Sequence, residues 1–138
     1  MEKKFFTFLS CRRTLNQNDE EYVGVSTKLR LSNFKDKEIN GSKLVTARAS
    51  ISNRERLLSE VLKTDIVADE NNNVWIDVNF WGKNAENISK FLGERTTATL
   101  FIVGAMSCRT YEKTSGEGQG IAISIRVDDW TYAEGKKE

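Results

Sequence analysis

Hydrophobic and polar residues alternate most regularly between residues 74 and 81. One set of alternate positions is apolar and comprises Val74, Ile76, Val78 and Phe80. The other set comprises Trp75, Asp77, Asn79 and Trp81. A period of two is typical of a β-strand with one buried face. The pattern therefore predicts a strand whose aliphatic face lies in the core and whose two tryptophans point the other way.

The first half of the chain is also predicted to be mainly β. Residues 3–13 are rich in Phe and precede a polar, turn-like segment, which favours a buried strand followed by a loop. Apolar and polar residues alternate over residues 22–31. Asn40 and Gly41 then form a typical hairpin turn before a strand over residues 44–53.

Two short helices are predicted between the strands. Asn53 is placed to cap a helix with one apolar face, and the polar residues 69–73 then form an exposed loop. That helix is expected to be an insertion. Asn84 is placed to cap a second helix of about two turns, which Gly93 ends.

The rest of the chain predicts a long hairpin. Residues 97–109 are rich in β-branched and aromatic residues, residues 115–120 form a Gly-rich turn, and isoleucines alternate in a final strand from residue 121. We expect a single domain over residues 1–132, followed by a short polar tail over residues 133–138.

Composition excludes several classes of catalytic site. The 138 residues include no His and only two Cys, which excludes histidine-dependent triads and a closed zinc site built by this chain alone. The acidic pairs at residues 69–70 and 128–129 lack the spacing of a calcium loop. Residues 116–120 lack the Lys-Ser/Thr ending of a phosphate loop. We therefore expect no metal, no cofactor and no enzymatic activity.

The N-terminal segment and the cysteines bear on the compartment. The apolar run after Met1 is shorter than the core of an ordinary signal peptide and ends in Arg12 and Arg13. Cys11 and Cys108 lie far apart and are expected to be reduced. No apolar stretch approaches the roughly 20 residues of a membrane span. The sequence therefore predicts a soluble, cytoplasmic protein without a membrane partner.

Charge is balanced overall but uneven along the chain. The 21 Lys and Arg nearly match the 20 Asp and Glu, so any site for nucleic acid must be local. Residues 1–60 hold 12 basic and 8 acidic residues, and the remainder holds 9 and 12. The candidate cations for such a site are Arg12, Arg13, Arg48, Arg109 and Lys113, the last two of which flank Tyr111.

The outward tryptophans allow two interpretations. Such a face often packs under a helix or in a subunit interface. A sheet face with spaced aromatic residues and nearby Arg or Lys also fits unstacked bases, because every base has a π-face and each stack contributes about 1–3 kcal/mol. This second interpretation requires no His.

Residues 74–111 resemble the bacterial and phage single-stranded DNA-binding protein family, whose domain is an oligonucleotide-binding (OB) fold. The family's aromatic-Gly-Lys segment, followed by Ala-Glu, is similar to residues 81–86, which read Trp-Gly-Lys-Asn-Ala-Glu. Gly93 follows the helix as in the family, and Gly104 matches a family glycine in the next strand. The base-stacking aromatics of the family fall at Trp75, Trp81 and Tyr111.

The resemblance implies a mainly β fold. This is a five-stranded Greek-key OB barrel with a short helix between strands 3 and 4, an extra N-terminal strand or loop, and helical insertions. Residues 5–13 and 45–53 would be the family's first two strands, and residues 14–43 and 54–72 longer connections than usual. The ending at residues 133–138 lacks the family's Gly-rich tail and acidic tip, which indicates a version from a phage or conjugative plasmid.

The resemblance and the aromatic face together predict a homo-oligomer, a dimer or tetramer, that coats single-stranded DNA without sequence preference. Its setting would be replication, recombination or conjugative transfer. The alternative is an OB-fold interaction module whose Trp75, Trp81 and Tyr111 form an apolar patch for a replication or transfer protein. Salt distinguishes the two, because phosphate contacts weaken steeply as salt rises and apolar burial does not.

Overall fold

The strands and helices follow the hydrophobic patterns of the chain. In the computed structural model, which describes residues 6–112 and 119–133, the strands are Leu9–Leu15 (β1), Glu21–Ile39 (β2), Ser42–Ser52 (β3), Asn73–Trp81 (β4), Ala98–Glu112 (β5) and Gln119–Tyr132 (β6). Helix Glu55–Leu62 (α1) lies between β3 and β4, and helix Lys83–Leu92 (α2) lies between β4 and β5.

Five of these strands close into a barrel. The strands β2, β3, β4, β6 and β5 are hydrogen-bonded in that order, and β2 also pairs with β5, which joins the two ends of the sheet. The pairing of β4 with β6 is parallel, and the other pairings are antiparallel. With α2 between the third and fourth barrel strands, this is the Greek-key OB barrel that the resemblance implies.

The barrel interior is filled by alternate side chains of its strands. In β4 the predicted face is buried, and Trp75 and Trp81 lie on the outside. Helix α2 covers part of the core with Ala85, Ile88 and Leu92. Burying an aliphatic or Phe side chain contributes about 1.5–3 kcal/mol. The alternation that exposes the tryptophans is therefore the one that stabilises the barrel.

The barrel begins one strand later than the family pattern indicated. Residues 5–13 were expected to form its first strand, but β1 pairs with β2 alone among the described strands. Strand β1 lies on the side of β2 that is opposite β5. Val25 of β2 pairs with Cys11 of β1 on one side and with Gly104 of β5 on the other. The first barrel strand is therefore β2, and β1 is the extra N-terminal strand.

Most of residues 14–43 consequently belong to a 19-residue strand rather than to a long connection. The alternation over residues 22–31 is only the first half of β2. Its second half lies beyond a shift of register between Ser32 and Lys35, where Asn33 has a φ of 54°. Such a bulge exchanges the inward and outward positions, and the regular pattern therefore stops there.

Two predicted turns have the expected backbone. Ile39 pairs with Ser42, and the intervening Asn40 and Gly41 both have positive φ, 51° and 82°, as a two-residue hairpin turn requires. Gly93 ends α2 with a φ of 51°. The Gly-rich turn of the last hairpin lies mostly in residues 113–118, outside the described residues.

Neither predicted asparagine caps its helix. Arg54 is the N-cap of α1, and Asn53 adopts the left-handed conformation with a φ of 56°. Asn84 lies in the first turn of α2, where its side-chain amide donates hydrogen bonds to the carbonyl oxygens of Val127 and Asp128, both at 3.2 Å. Asn84 therefore ties α2 to β6 instead of capping its own helix.

Candidate functional site

The outer face of the barrel carries the candidate aromatic residues. Trp75 is 49% exposed, Trp81 is 38% exposed and Tyr111 is 44% exposed. Trp75 and Trp81 are six residues apart on one face of β4, which corresponds to about 20 Å along an extended strand. They are therefore two separate contact points rather than one cluster.

The sheet register brings Trp75 close to β5. Ile76 pairs with Ile123 in the parallel ladder, so Trp75 lies beside Ala122, and Ala122 pairs with Arg109 of β5. Two residues further along β5, Tyr111 pairs with Gly120. Since adjacent strands lie about 4.8 Å apart, Trp75 and the β5 side chains are separated by roughly 10 Å, with β6 between them.

These residues surround a groove of ≈ 840 Å³. Gly120 and Ala122 of β6 carry almost no side chain and lie between the aromatic residues. The segment that follows α1, residues 65–69, forms a wall of the groove. Of the residues proposed from sequence, the groove brings together Arg48, Trp75, Arg109 and Tyr111.

The indole of Trp75 is held from two directions. Its Nε1–H donates a hydrogen bond to Oδ2 of Asp69 at 3.1 Å, and the Arg48 guanidinium lies 5.9 Å from the ring centroid. Arg48 in turn donates from Nη1 to Oδ1 of Asp77 at 3.0 Å. Arg48 therefore lies between Trp75 and Asp77, and its side chain remains 45% exposed.

Asp69 is itself fixed by the turn before β4. Its Oδ1 accepts hydrogen bonds from the backbone N–H groups of Asn71 at 2.8 Å and Asn73 at 3.0 Å. The pKa of the Asp69 carboxyl is held below its ordinary value of 3.8 by hydrogen bonds to the carboxylate. The bond from Asn73 has the largest effect, and the bonds from Asn71 and Trp75 act in the same direction. The carboxylate, and with it the anchor of Trp75, therefore persists as pH falls until this lowered pKa is reached.

Tyr111 lies directly over Gly120. A β-carbon placed on Gly120 would stand 2.4 Å from Cζ and 2.5 Å from the hydroxyl oxygen of Tyr111. The ring therefore occupies the space of the missing side chain and is supported by the backbone of β6.

The other proposed residues lie elsewhere. Trp81 pairs with Leu44 at the far end of β4. Arg12 lines a separate cavity of ≈ 310 Å³ between β1, β2 and β5, and Arg13 forms an ion pair with Glu21. Lys113 lies outside the described residues. The site residues predicted from sequence therefore do not form one continuous patch in the described structure.

Asp69, Gly120 and Ala122 line the groove but are not among the site residues that the sequence predicts. Asp69 was interpreted as a solvated turn residue, and it does cap its turn, but its second carboxylate oxygen reaches Trp75. Gly120 was assigned to a hairpin tip, although it is already in β6. An Asp six residues before an outward Trp offers no periodic signal, so only the three-dimensional contact identifies it.

The charge of the groove is mixed. Among the described residues that line it, Asp65, Asp69 and Asp77 carry carboxylates and Arg48 and Arg109 carry guanidinium groups. Asp77 is paired with Arg48, whereas Arg109 has no ion pair within the described part of the chain. Arg109 is therefore the groove cation that is available to an incoming anion.

The described structure also bears on metal binding, thiol chemistry and membrane spanning. Residues 6–112 and 119–133 contain no group of three or more His, Cys, Asp or Glu placed to hold a metal ion. Both cysteines are free, and burial raises the pKa of the Cys11 thiol, which disfavours the nucleophilic thiolate. No helix within these residues is both long and apolar enough to cross a membrane.

Comparison with known proteins supports the fold. No protein-family model and no curated protein matches the sequence. The structure is similar to the mitochondrial single-stranded DNA-binding protein Rim1 of S. cerevisiae, with 14% identity and a TM-score of 0.49 over 83% of this chain and 98% of that chain. It is also similar to the single-stranded DNA-binding protein of Thermus aquaticus, with 10% identity and a TM-score of 0.52.

The second similarity covers 96% of this chain and 59% of the Thermus aquaticus protein. This chain therefore spans less than two thirds of that protein's length. At 10% identity the similarity shows a common fold.

Proposed function

We propose that this protein binds single-stranded DNA with little sequence preference. The observation that carries the proposal is the groove in which Trp75 and Tyr111 stand on either side of the small residues of β6, with Arg109 beside them. OB barrels bind oligonucleotides on the face of their second and third strands, which are β3 and β4 here. The Thermus aquaticus protein, to which the fold is similar, is a single-stranded DNA-binding protein.

Each groove residue has a distinct role in this proposal. Trp75 and Tyr111 stack on bases, which is tolerant of sequence because every base has a π-face. Arg109 neutralises a phosphate. Trp81 contacts bound DNA that continues along β4 beyond Trp75. Arg12, Arg13 and Lys113 contact only DNA that extends beyond the groove. No covalent step, cofactor or metal is part of the function.

The same proposal extends to the setting of the protein. We infer a homo-oligomer, a dimer or tetramer, that coats and protects single-stranded DNA during replication, recombination or conjugative transfer of a phage or plasmid, in the cytoplasm. The resemblance of residues 74–111 to the single-stranded DNA-binding family supports this setting. Sedimentation equilibrium tests the oligomer, and a purely monomeric protein at micromolar concentration would contradict it.

The function is tested by tryptophan fluorescence during titration with an oligothymidylate of about 30 nucleotides, which exceeds the roughly 4–16 nucleotides bound per OB domain. We expect saturable quenching that becomes weaker as salt rises and that duplex DNA does not produce. Trp75→Ala combined with Trp81→Ala, and separately Tyr111→Ala, should weaken binding, since each lost stack is worth about 1–3 kcal/mol.

Phe101→Ala is the matched control for Tyr111→Ala. Both residues lie on the outer face of β5 and both are 44% exposed, but Phe101 does not line the groove. Equal affinity of the wild type and the folded Trp75→Ala, Trp81→Ala protein would refute the proposed site.

The mixed charge of the groove favours one second candidate. The three carboxylates that line it outnumber the two guanidinium groups among the described residues, which suits a protein partner better than a bare polyanion. In that case the groove is a docking site for a replication or transfer protein. A folded sample that neither quenches with the oligonucleotide nor retains it would support this candidate instead.

A further inference from the structure

Trp75 is 49% exposed, yet two groups of the protein interact with its indole. Asp69 accepts the hydrogen bond from its Nε1–H, and the Arg48 guanidinium lies over its ring at 5.9 Å from the centroid. A surface tryptophan without such contacts samples several rotamers. The two contacts therefore select one orientation of the indole in the unbound protein.

Asp69 is itself held by the hydrogen bonds of its turn. Its backbone N–H donates to the carbonyl of Asn73 at 2.9 Å, its carbonyl accepts from Asn72 at 2.9 Å, and its Oδ1 accepts from Asn71 and Asn73. One carboxylate oxygen thus holds the turn, and the other is left to hold the indole.

We propose that Asp69 is a positioning residue that presents Trp75 to a base in a fixed orientation. This inference rests on the proposed function and deepens it. A ring that is already ordered loses less conformational freedom when it stacks, so the same contact yields a higher affinity. Asp69 acts through Trp75 and need not touch the DNA.

Electrostatic repulsion alone predicts the opposite effect of Asp69 on DNA affinity. A carboxylate beside a phosphate-binding groove repels DNA, so its removal alone should tighten binding. If Asp69 positions Trp75, its replacement should weaken binding in spite of the lost negative charge. The direction of the change therefore separates the two roles.

Asp65→Asn is the matched control for Asp69→Asn. Asp65 lines the same wall of the groove, but it makes no hydrogen bond to Trp75 in the described structure. Both variants remove one negative charge from the groove. Asp69→Asn also keeps an oxygen for the turn, while its amide nitrogen cannot accept the hydrogen bond from Nε1–H.

Two measurements test the proposal. The first is the ¹⁵N order parameter of the Trp75 indole N–H in the free protein, assigned with Trp75→Phe. The second is the affinity for the oligothymidylate. We expect Asp69→Asn to lower the order parameter and to weaken binding about fivefold or more. We expect Asp65→Asn to leave the order parameter unchanged and to bind equally well or more tightly.

A double-mutant cycle guards against a simple loss of folding. Trp75→Phe removes the N–H donor but leaves the turn at Asp69 intact, so adding Asp69→Asn to Trp75→Phe should cause no further loss of affinity. A further loss of the same size, an unchanged order parameter, or equal behaviour of the two Asn variants would each overturn the proposal.

Failure of the proposed function gives a different result. If the wild type binds no oligonucleotide, the proposed function fails by itself. The order parameters of the free wild type, Asp69→Asn and Asp65→Asn proteins then decide whether Asp69 orders Trp75.

Discussion

At the level of single residues, the groove depends on places where a side chain is small. Gly120 leaves room for the Tyr111 ring, and Ala122 separates Trp75 from Arg109 without filling the space between them. Aromatic residues on a strand often cover a glycine of the neighbouring strand in this way. The ring of Tyr111 can therefore take this position only because residue 120 is a glycine.

Replacement of Gly120 by Ala should displace the Tyr111 ring. The new β-carbon would lie 2.4 Å from Cζ, so the ring must move and its stack with a base is lost or weakened. We expect a loss of up to about 1–3 kcal/mol in binding to the oligothymidylate, with little change in the thermal midpoint. Isothermal titration and thermal unfolding measure the two quantities.

Gly24→Ala is the control for this change. Gly24 is also a strand glycine, but a β-carbon there would meet Tyr22 at 3.7 Å and Thr14 at 4.0 Å, which are ordinary contacts. If Gly120→Ala bound as tightly as Gly24→Ala, the ring position of Tyr111 would have no part in binding.

At the level of elements, the insertion after β3 has a definite role. Helix α1 is joined to the groove wall through Ser59, whose hydroxyl donates to the carbonyl of Glu55 at 2.7 Å and accepts from the N–H of Ile66 at 2.9 Å. Ile66 is buried in the core. The connection over residues 54–72 is thus a wall that carries Asp69 to Trp75, not a loose loop.

Strands β5 and β6 approach each other closely at Gly104. It lies at the shift of register between β5 and β6, and a β-carbon there would stand 2.0 Å from the carbonyl oxygen of Arg126. Gly104→Ala must therefore push two backbones apart. We expect a loss of about 1–3 kcal/mol or more in the free energy of unfolding, measured by urea denaturation, and close to none for Gly24→Ala. Equal stability of the two variants would contradict this close approach.

At the level of the whole molecule, near-neutral charge means that few cations drive any binding to DNA. The chain carries a net charge of +1, and Arg109 is the groove cation that has no ion pair among the described residues. Base stacking, rather than long-range attraction, should therefore supply most of the affinity. Such a protein would show a weaker salt dependence than a strongly basic one.

Arg109→Ala tests how much a phosphate contact contributes to binding beside base stacking. Loss of one phosphate contact should reduce the slope of log affinity against log salt by about 0.7, the value for one neutralised phosphate on a single strand. Arg30→Ala, on the outer face of β2 and outside the groove, should leave the slope unchanged. An identical slope for wild type and Arg109→Ala would show that this guanidinium does not contact a phosphate.

Much of this architecture could be predicted from the sequence. Alternation identified β4 and the outward side of Trp75 and Trp81, the Asn40-Gly41 turn identified the hairpin of β2 and β3, and Gly93 identified the end of α2. These are local properties, because the period of a strand and the conformation of a turn depend on residues that are close in the chain.

Other features exist only in the folded molecule. The bulge near Asn33 hid the full length of β2, and the pairing of β2 with β5 decided which strand opens the barrel. The fold also brings Trp75 near Arg109 and places Asp69 beside the indole. The sequence by itself determined which side chains face outward. Which of them meet was decided by strand order and register, because these depend on contacts between distant segments that no local pattern records.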